Sequence, residues 1–564
     1  MEGAGVADSD SDADFGFLTA PGAPFAVEDG VYVSGPRTLR EFVETTWAFG
    51  ERPFLVAETG TYTYGEFFAA ASALANRLID VYGLRQGDRA VVAMRNHPEW
   101  QIAFWATQLA GLVTVPLNAW WTEDEFAYAL GDCAPAVLLV DGERLPRVEK
   151  WARGRARVVV FHHEGPVGDL GEGCERYEDL PVPDPAGTPA PPTVGIRPED
   201  DATISYTSGT TGRPKGAVAT QLAQAGAVMN PRYTAAVSAL AKGMIPGQGP
   251  APVNLMTFPF FHAAAFTTVY ALMSVGGTAV LMRKWDAEQA LSLIERHRVT
   301  HYSGVPTTAL QLLDAAERHG VALESLTHLN TGGAAAPPGI VARLMARYGP
   351  GVEPRNGYGL TETCGGVTAN FGAQYRRHPG SVGRATPATE ARIAGPDGRA
   401  LPEGEVGELW LRGQSLVRGY WRDPEATAAA FTEDGWFRTG DLATVRDGGL
   451  ITIVDRIKDM IIRGGENVYC VEVEAVLHDH PDVADAAVFG VPHAVLGEEV
   501  AAVVVPRDGA APTPDELRAH VGRSLAAFKV PVHVVLRDDP LPRNATGKIL
   551  KRELRAGMPP GSGA

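Results

Sequence analysis

Residues 206–216 read Tyr-Thr-Ser-Gly-Thr-Thr-Gly-Arg-Pro-Lys-Gly and follow an apolar run, 202–206. A strand opening into a loop of small and hydroxylated residues is the local prediction. Gly209 and Gly212 let the backbone turn its N–H groups toward one point, and Thr207, Ser208, Thr210 and Thr211 add hydroxyl donors. A concave nest of such donors selects an anion, above all a phosphate chain. Lys215 adds a positive charge and Pro214 stiffens the exit. The loop is not a Walker A motif, because no Gly-Lys-Ser/Thr follows four residues after a glycine.

Outward from this loop, the chain alternates helix and strand. Helical spacing marks 64–82 through Phe67, Ala71, Leu74 and Leu78, and short apolar strands are predicted at 89–94, 112–116, 136–140 and 158–161. After the loop the rhythm resumes, with strands at 253–258, 278–282 and 299–303 separated by helices at 264–275 and 286–297. Such alternation predicts an α/β architecture of largely parallel, doubly wound sheets with helices on both faces. From about 386 the alternation of 391–393 and 407–412 between Gly/Pro turns predicts a small β-rich subdomain. A third, α+β unit runs from near 455 to the end. The expected division is a loose acidic tail over 1–30, a large N-terminal domain over 31–457 and a smaller C-terminal domain over 458–564.

Composition excludes several function classes. The 564 residues are 45% hydrophobic and 21% charged, an ordinary globular balance. Fifty basic against 67 acidic residues leave a net charge of −17, which disfavours a nucleic-acid partner. Cys133, Cys174, Cys364 and Cys470 form no ligand-spaced pair, so neither a disulfide framework nor zinc is indicated. No signal peptide is visible at the acidic N-terminus, and the longest apolar run, 102–116, is too short to span a bilayer. A cytoplasmic location is the expectation.

Further motifs carry chemistry. In Asn356–Glu362 (NGYGLTE), Gly357 and Gly359 permit close backbone approach, Tyr358 offers a flat face to a purine, and Thr361 and Glu362 add a hydroxyl and a carboxylate. A carboxylate beside a triphosphate repels it unless a Mg²⁺ ion intervenes. Thr439–Leu442 (TGDL) supplies Asp441, whose acceptor-only carboxylate can take two donors at once. Near the end, Pro540–Leu554 (PLPRNATGKILKREL) presents Lys548 after a Thr-Gly turn. Phe258–Phe266 (FPFFHAAAF) supplies His262.

Taken together, the 206–216 loop and these motifs resemble the adenylate-forming superfamily of acyl- and aryl-CoA ligases, peptide-synthetase adenylation domains and luciferases. The motifs stand in that family's order over residues 35–555. The resemblance implies that Thr361 contacts the α-phosphate and Glu362 holds Mg²⁺. It places Thr331–Pro337 (TGGAAAP), with Gly333, Ala334 and Ala335, on the adenine side together with Asn356, and gives Asp441 the ribose hydroxyls. In Asp455–Glu472 (DRIKDMIIRGGENVYCVE) it sets Arg456 at the ribose or phosphate, Lys458 at a hinge, and Gly464 and Gly465 at a thiol-delivery channel. Cys470 departs from the proline or small residue that many relatives carry there. The resemblance also puts His262 at the carboxylate-binding wall, Lys284 at the CoA nucleotide, and makes Lys548 the catalytic lysine of adenylation.

The implied activity is ATP-dependent acyl-CoA ligation through an acyl-adenylate, with ATP, Mg²⁺, coenzyme A and a small carboxylic acid as its ligands. Pocket walls at 260–266, 302–306, 333–336 and 357–366 contain many small residues and no Lys, Arg or Asp to capture a second charge. A medium- or long-chain fatty acid is therefore expected, with an aryl acid as the alternative. A carrier protein's phosphopantetheine as acceptor, a luciferase-like oxygenase and a non-catalytic nucleotide-binding regulator remain as other classes, and a homodimer is compatible with all of them.

Overall fold

The computed structural model describes residues 15–165, 173–181, 190–207, 213–334, 339–544 and 547–558. Two large sheets form its body. The first has eight strands, in which Asp201–Tyr206, Val113–Pro116, Arg89–Ala93, Val137–Asp141, Arg157–Phe161 and Cys174–Arg176 run parallel. Beyond Asp201–Tyr206 the edge continues antiparallel through Gly216–Thr220 to Gly419–Tyr420. The second has nine strands, with Glu353–Leu360, His328–Thr331, His301–Gly304, Val253–Met256, Thr278–Leu281 and Pro53–Ala57 parallel at its centre.

Helices fill the space between the sheets and cover both outer faces. The central core joins Val92, Leu139 and Val159 of the first sheet to Leu55, Met256 and Leu281 of the second. Helices Tyr64–Asn76, Pro98–Leu109 and Ala263–Met273 lie in this layer, and every residue of Pro98–Leu109 is buried. Its polar side chains are paired inside, Gln101 with Trp105 Nε1, Gln108 with Thr114 and the Ala202 carbonyl, and Glu99 with His162. The helix therefore sits between two sheets with no solvent face. The outer layers are Glu123–Cys133 and Leu145–Ala152 on one side, and Ala287–His297, Pro306–Arg318 and Gly339–Tyr348 on the other.

The second sheet breaks a rule on one face. Strands buried on both sides normally read as continuous apolar runs. Here Leu255, Tyr302 and Leu329 pack into the outer core, while Asn254, His301, Ser303, His328, Asn330, Glu353 and Arg355 alternate to the other face in aligned register. Met256, on that same face, packs into the central core, so the face is polar only in part.

A four-stranded antiparallel sheet, Thr389–Ala394, Gly407–Gly413, Phe437–Arg446 and Leu450–Arg456, is the β-rich subdomain. A separate five-stranded sheet begins with Ile461–Arg463, so Lys458 falls in the turn between the two. The loose tail expected over 1–30 is corrected for its described part. Leu18 and Phe25 are buried against Tyr32, Met229 and Ala236, and Val27–Glu28 pairs with Val31–Tyr32. Apolar side chains among the acidic residues anchor this segment to helix Gln221–Ala241. No described helix is long and apolar enough to cross a membrane.

Candidate active site

A cavity of about 2520 Å³ opens at the carboxyl ends of the parallel strands of the second sheet, where open α/β sheets place their ligands. Its size exceeds that of a single-ligand pocket, roughly 300–1,000 Å³. Thr207, His262, Gly333, Thr361, Glu362, Asp441, Arg456, Lys458 and Lys548 all line it.

Each side chain is set by local structure. Asp201–Tyr206 and Gly216–Thr220 pair antiparallel, and just beyond them the Thr207 N–H donates to the Lys215 carbonyl at 2.9 Å. The Lys215 ammonium sits 5.3 Å from the Tyr420 ring centroid. Tyr420 is on the strand that pairs with Gly216–Thr220, and its hydroxyl donates to Glu362 Oε1 at 2.8 Å. Burial pushes the Glu362 carboxyl up, opposed first by that hydrogen bond.

Glu362 follows a strand in which glycine is required. A Cβ at Gly359 would collide with the Gly365 carbonyl, because Glu353–Leu360 and Gly365–Phe371 cross closely there. Asp441 is buried, accepts from the Tyr358 hydroxyl at 2.6 Å on one oxygen and is ion-paired with Arg456 Nε at 3.1 Å on the other. An ionised carboxylate offers about four lone-pair sites, so acceptor capacity remains. The Tyr358 ring packs against the β-subdomain core with Val367 and Leu411.

His262 caps helix Ala263–Met273, its Nδ1 accepting from the Ala264 N–H at 3.2 Å. Burial lowers its pKa to about 4. At neutral pH the ring is uncharged, and since Nδ1 accepts, Nε2 carries the proton. Lys548 stands on a turn held by reciprocal 2.9 Å bonds with Asn544 and by Arg543 Nη1 donating to the Gly547 carbonyl at 2.6 Å. Gly547, at φ +80°, lies against Val305, whose Cγ2 would be 3.0 Å from a Cβ there. Burial, then the charges of Arg456 and Lys458, lower the Lys548 pKa to about 8.

Residues 42–421 match the model of the AMP-binding enzyme family, and residues 472–548 that of its C-terminal domain. The chain belongs to the AMP-binding enzyme family. It is 38% identical over 494 residues to a feruloyl-CoA synthase of Amycolatopsis sp, covering 87% of this chain and 93% of that protein. It is 35% identical to the long-chain-fatty-acid–CoA ligase FadD13 of Mycobacterium tuberculosis, covering 86% and 92%. Among solved structures, ATP-bound MatB from Rhodopseudomonas palustris superposes with a TM-score of 0.78 at 31% identity, covering 92% and 98%. The anthranilate CoA ligase AuaEII with anthranoyl-AMP gives 0.82 at 25% identity, covering 92% and 96%.

In this AMP-binding enzyme the cavity gathers most of the sequence-predicted positions, Ala334, Asn356, Gly357, Tyr358 and Gly359 included. Lys284 is exposed and not among the lining residues, because it follows the strand Thr278–Leu281 on the far side of the sheet from that cluster. Gly464 and Gly465 form an exposed hairpin turn at φ +61° and +88°, also away from the cavity. Ser208, Gly209, Thr210, Thr211, Gly212 and Ala335 lie outside the described residues. Cys470 is buried at the start of helix Cys470–His478, its N–H donating to Asp455 Oδ2 at 2.5 Å.

Two contributors had no sequence signal. Tyr420 reaches Glu362 only through a strand pairing two hundred residues long in sequence. Asn96 donates from Nδ2 to the Phe258 carbonyl and accepts at Oδ1 from the Phe260 N–H, both at 2.9 Å, fixing the turn that carries His262.

Proposed function

We propose that this AMP-binding enzyme is an AMP-forming acid–CoA ligase acting on a bulky carboxylic acid. Its relatives named as CoA ligases over nearly their full length support the reaction class. The observation that carries the reading is the meeting of Lys548 with Asp441, Arg456 and Glu362 in one cavity, while the Gly464–Gly465 turn stays outside it. That is the arrangement a first, adenylating half-reaction requires.

In this reading the acid's carboxylate oxygen attacks the α-phosphorus of ATP, forming an O–P bond as the bond to the β-phosphate oxygen breaks and pyrophosphate leaves. Negative charge grows on the α-phosphate oxygens, and the Lys548 ammonium offsets it. The loop 207–215 holds the departing phosphates, Thr361 the α-phosphate, and Asp441 the ribose. The neutral Nε2–H of His262 donates to the acid's carboxylate. Glu362 fits a Mg²⁺ ion, because Tyr420 engages only one of its oxygens and Mg²⁺ is commonly held by one carboxylate plus phosphates. The ion would neutralise phosphate charge when bound.

The unit beyond Lys458 then rotates, withdrawing Lys548 and bringing the Gly464–Gly465 turn to the cavity. The CoA thiol, giving up its proton to solvent, attacks the acyl carbon, the C–S bond forms as the acyl carbon–oxygen bond to the adenylate breaks, and AMP departs. Lys284 is assigned to the CoA nucleotide in that second state. Acid-dependent release of pyrophosphate, with AMP and thioester appearing only when CoA is added, tests the reading. No response to any acid across alkyl and aryl series rejects it.

A further inference from the structure

The first sheet carries a side-chain cluster at the carboxyl ends of its own strands. Arg89–Ala93, Val137–Asp141 and Arg157–Phe161 are neighbours in that order. Beyond the first of them, His97 is the N-cap of helix Pro98–Leu109 and Glu99 lies in its first turn. Beyond the last comes His162, and Asp141 ends the strand between them. None of these four residues lines the cavity that holds Lys548.

One donor atom each of His97, Glu99 and His162 lies within 4.8 Å of the other two, and no other such group of three occurs among the described residues. Glu99 Oε2 is 2.8 Å from His162 Nε2, and Glu99 Oε1 accepts from the Tyr62 hydroxyl at 3.1 Å. The His97 and Glu99 side chains are 6% and 9% exposed and that of His162 28%, so the group is sunk in the protein but open to solvent at His162. Arg144, a buried cation at this edge, is bound by Asp141 and Glu143 at 2.9 and 2.8 Å. Among the described residues no lysine or arginine pairs with Glu99. His162 sits at φ +52°, uncommon for any residue but glycine, in a turn held by its N–H donating to Glu178 Oε1 at 2.7 Å.

Two imidazoles and one carboxylate are a donor set that suits zinc, whereas Mg²⁺ and Ca²⁺ take oxygen ligands. Zinc bonds of about 2.0–2.2 Å set tetrahedral ligands roughly 3.4 Å apart, so side-chain rotation alone closes this group on an ion. The two rings are stacked, with centroids 4.1 Å apart and planes at 25°, and one must turn about its Cβ–Cγ bond to aim its lone pair. His162, the more exposed, has the room. Tyr62 then orients Glu99, and Asp141 Oδ2, 3.9 Å from His97 Nε2, stands beside the other ring as carboxylates do at zinc-bound histidines.

We propose that His97, Glu99 and His162 bind a divalent transition-metal ion of zinc's preferences, with water as a further ligand, and that the ion pins the turn at 162 to the start of helix Pro98–Leu109. The pinned stretch adjoins Asn96, whose amide fixes the turn carrying His262. No cysteine takes part and His162 is 63 residues from Glu99, so ligand spacing along the chain gives no sign of the site. The proposal is independent of the ligase reading.

The test titrates untagged, chelator-stripped full-length enzyme with Zn²⁺ against a chelating dye and follows the melting temperature. Wild type should take up about one equivalent and melt at a higher temperature with zinc than without. Glu99→Gln and His162→Asn, the latter suited to left-handed backbone, should each weaken uptake by more than about tenfold and cancel the rise. His163→Ala, beside the group but outside it, should keep both. If Glu99→Gln does not fold, the partly exposed His162 decides the matter. Wild-type enzyme that takes up no zinc overturns the proposal, and so does uptake that His162→Asn leaves unchanged.

Discussion

The Tyr420 hydroxyl donates to Glu362 Oε1 over 2.8 Å while its ring stacks 5.3 Å from the Lys215 ammonium. One side chain thus touches both the carboxylate proposed for Mg²⁺ and Lys215, at the end of the proposed phosphate loop. The backbone reinforces this, because the Val417 N–H donates to the Glu362 carbonyl at 2.9 Å and the Trp421 N–H to the Gly216 carbonyl at 2.7 Å.

Tyr420→Phe keeps the ring and removes the donor. A hydrogen bond to a charged group contributes about 1.5–3 kcal/mol, so acid-dependent pyrophosphate release should fall roughly ten- to hundredfold. Glu362, already pushed up by burial, should rise further. The acid limb of the rate profile should move to higher pH and the Mg²⁺ requirement should increase. An unchanged pH profile would remove Tyr420 from the site.

Lys548→Ala should slow ATP–pyrophosphate exchange by about 10²–10³-fold, and leave thioester formation from supplied acyl-adenylate nearly intact. Because the ammonium is the working form and its pKa is lowered to about 8, wild-type adenylation should decline as pH rises through 8. Lys548→Arg, charged at every accessible pH, should lose that alkaline limb even if its rate is lower.

Lys458→Pro fixes φ in the turn between the two sheets. Adenylation, which uses the arrangement seen here, should persist, while thioester formation should drop by at least about tenfold. Single-turnover measurement of the two half-reactions separates them, and an equal loss in both would dismiss the hinge.

Asp455 is buried and accepts from the Cys470 and Arg456 N–H groups at 2.5 and 2.7 Å, yet burial outweighs these bonds and raises its pKa to about 6. Its folded-state value lies above the unfolded one near 3.9. The folded protein therefore binds the extra proton, and stability falls as pH rises from about 4 to 6, by up to about 3 kcal/mol for this group. Asp455→Asn keeps an acceptor and loses the charge. Its melting temperature relative to wild type should climb across that interval and level off above it.

Most of the parallel sheet architecture could be read from periodicity, since strands such as 89–94 and 136–140 are short apolar runs between helices. The loops bearing Glu362, Asp441 and Lys548 were legible because each needs particular glycines and charges next to one another. What escaped was whatever depends on register. Asn254, Ser303 and Asn330 are unremarkable in three separate strands and form a cluster only when those strands align. Asn96 looks like a loop residue until its amide meets the turn before His262. The tail was misread for a related reason: Leu18 and Phe25 are sparse in an acidic segment, and their partners lie two hundred residues away.

That segment also supplies Leu18, Pro24 and Phe25 to the cavity lining. It comes before the first of the large sheets, makes no contribution to the phosphate or ribose positions, and is tied to the body by Tyr32 and Asn230. On the ligase reading proposed above, it walls part of the chamber open to the acid. Grafting the corresponding stretch from a relative should alter which acids are accepted while the nucleotide half of the enzyme runs unchanged, so diversity in substrate choice can be built at the chain's start without disturbing its chemistry.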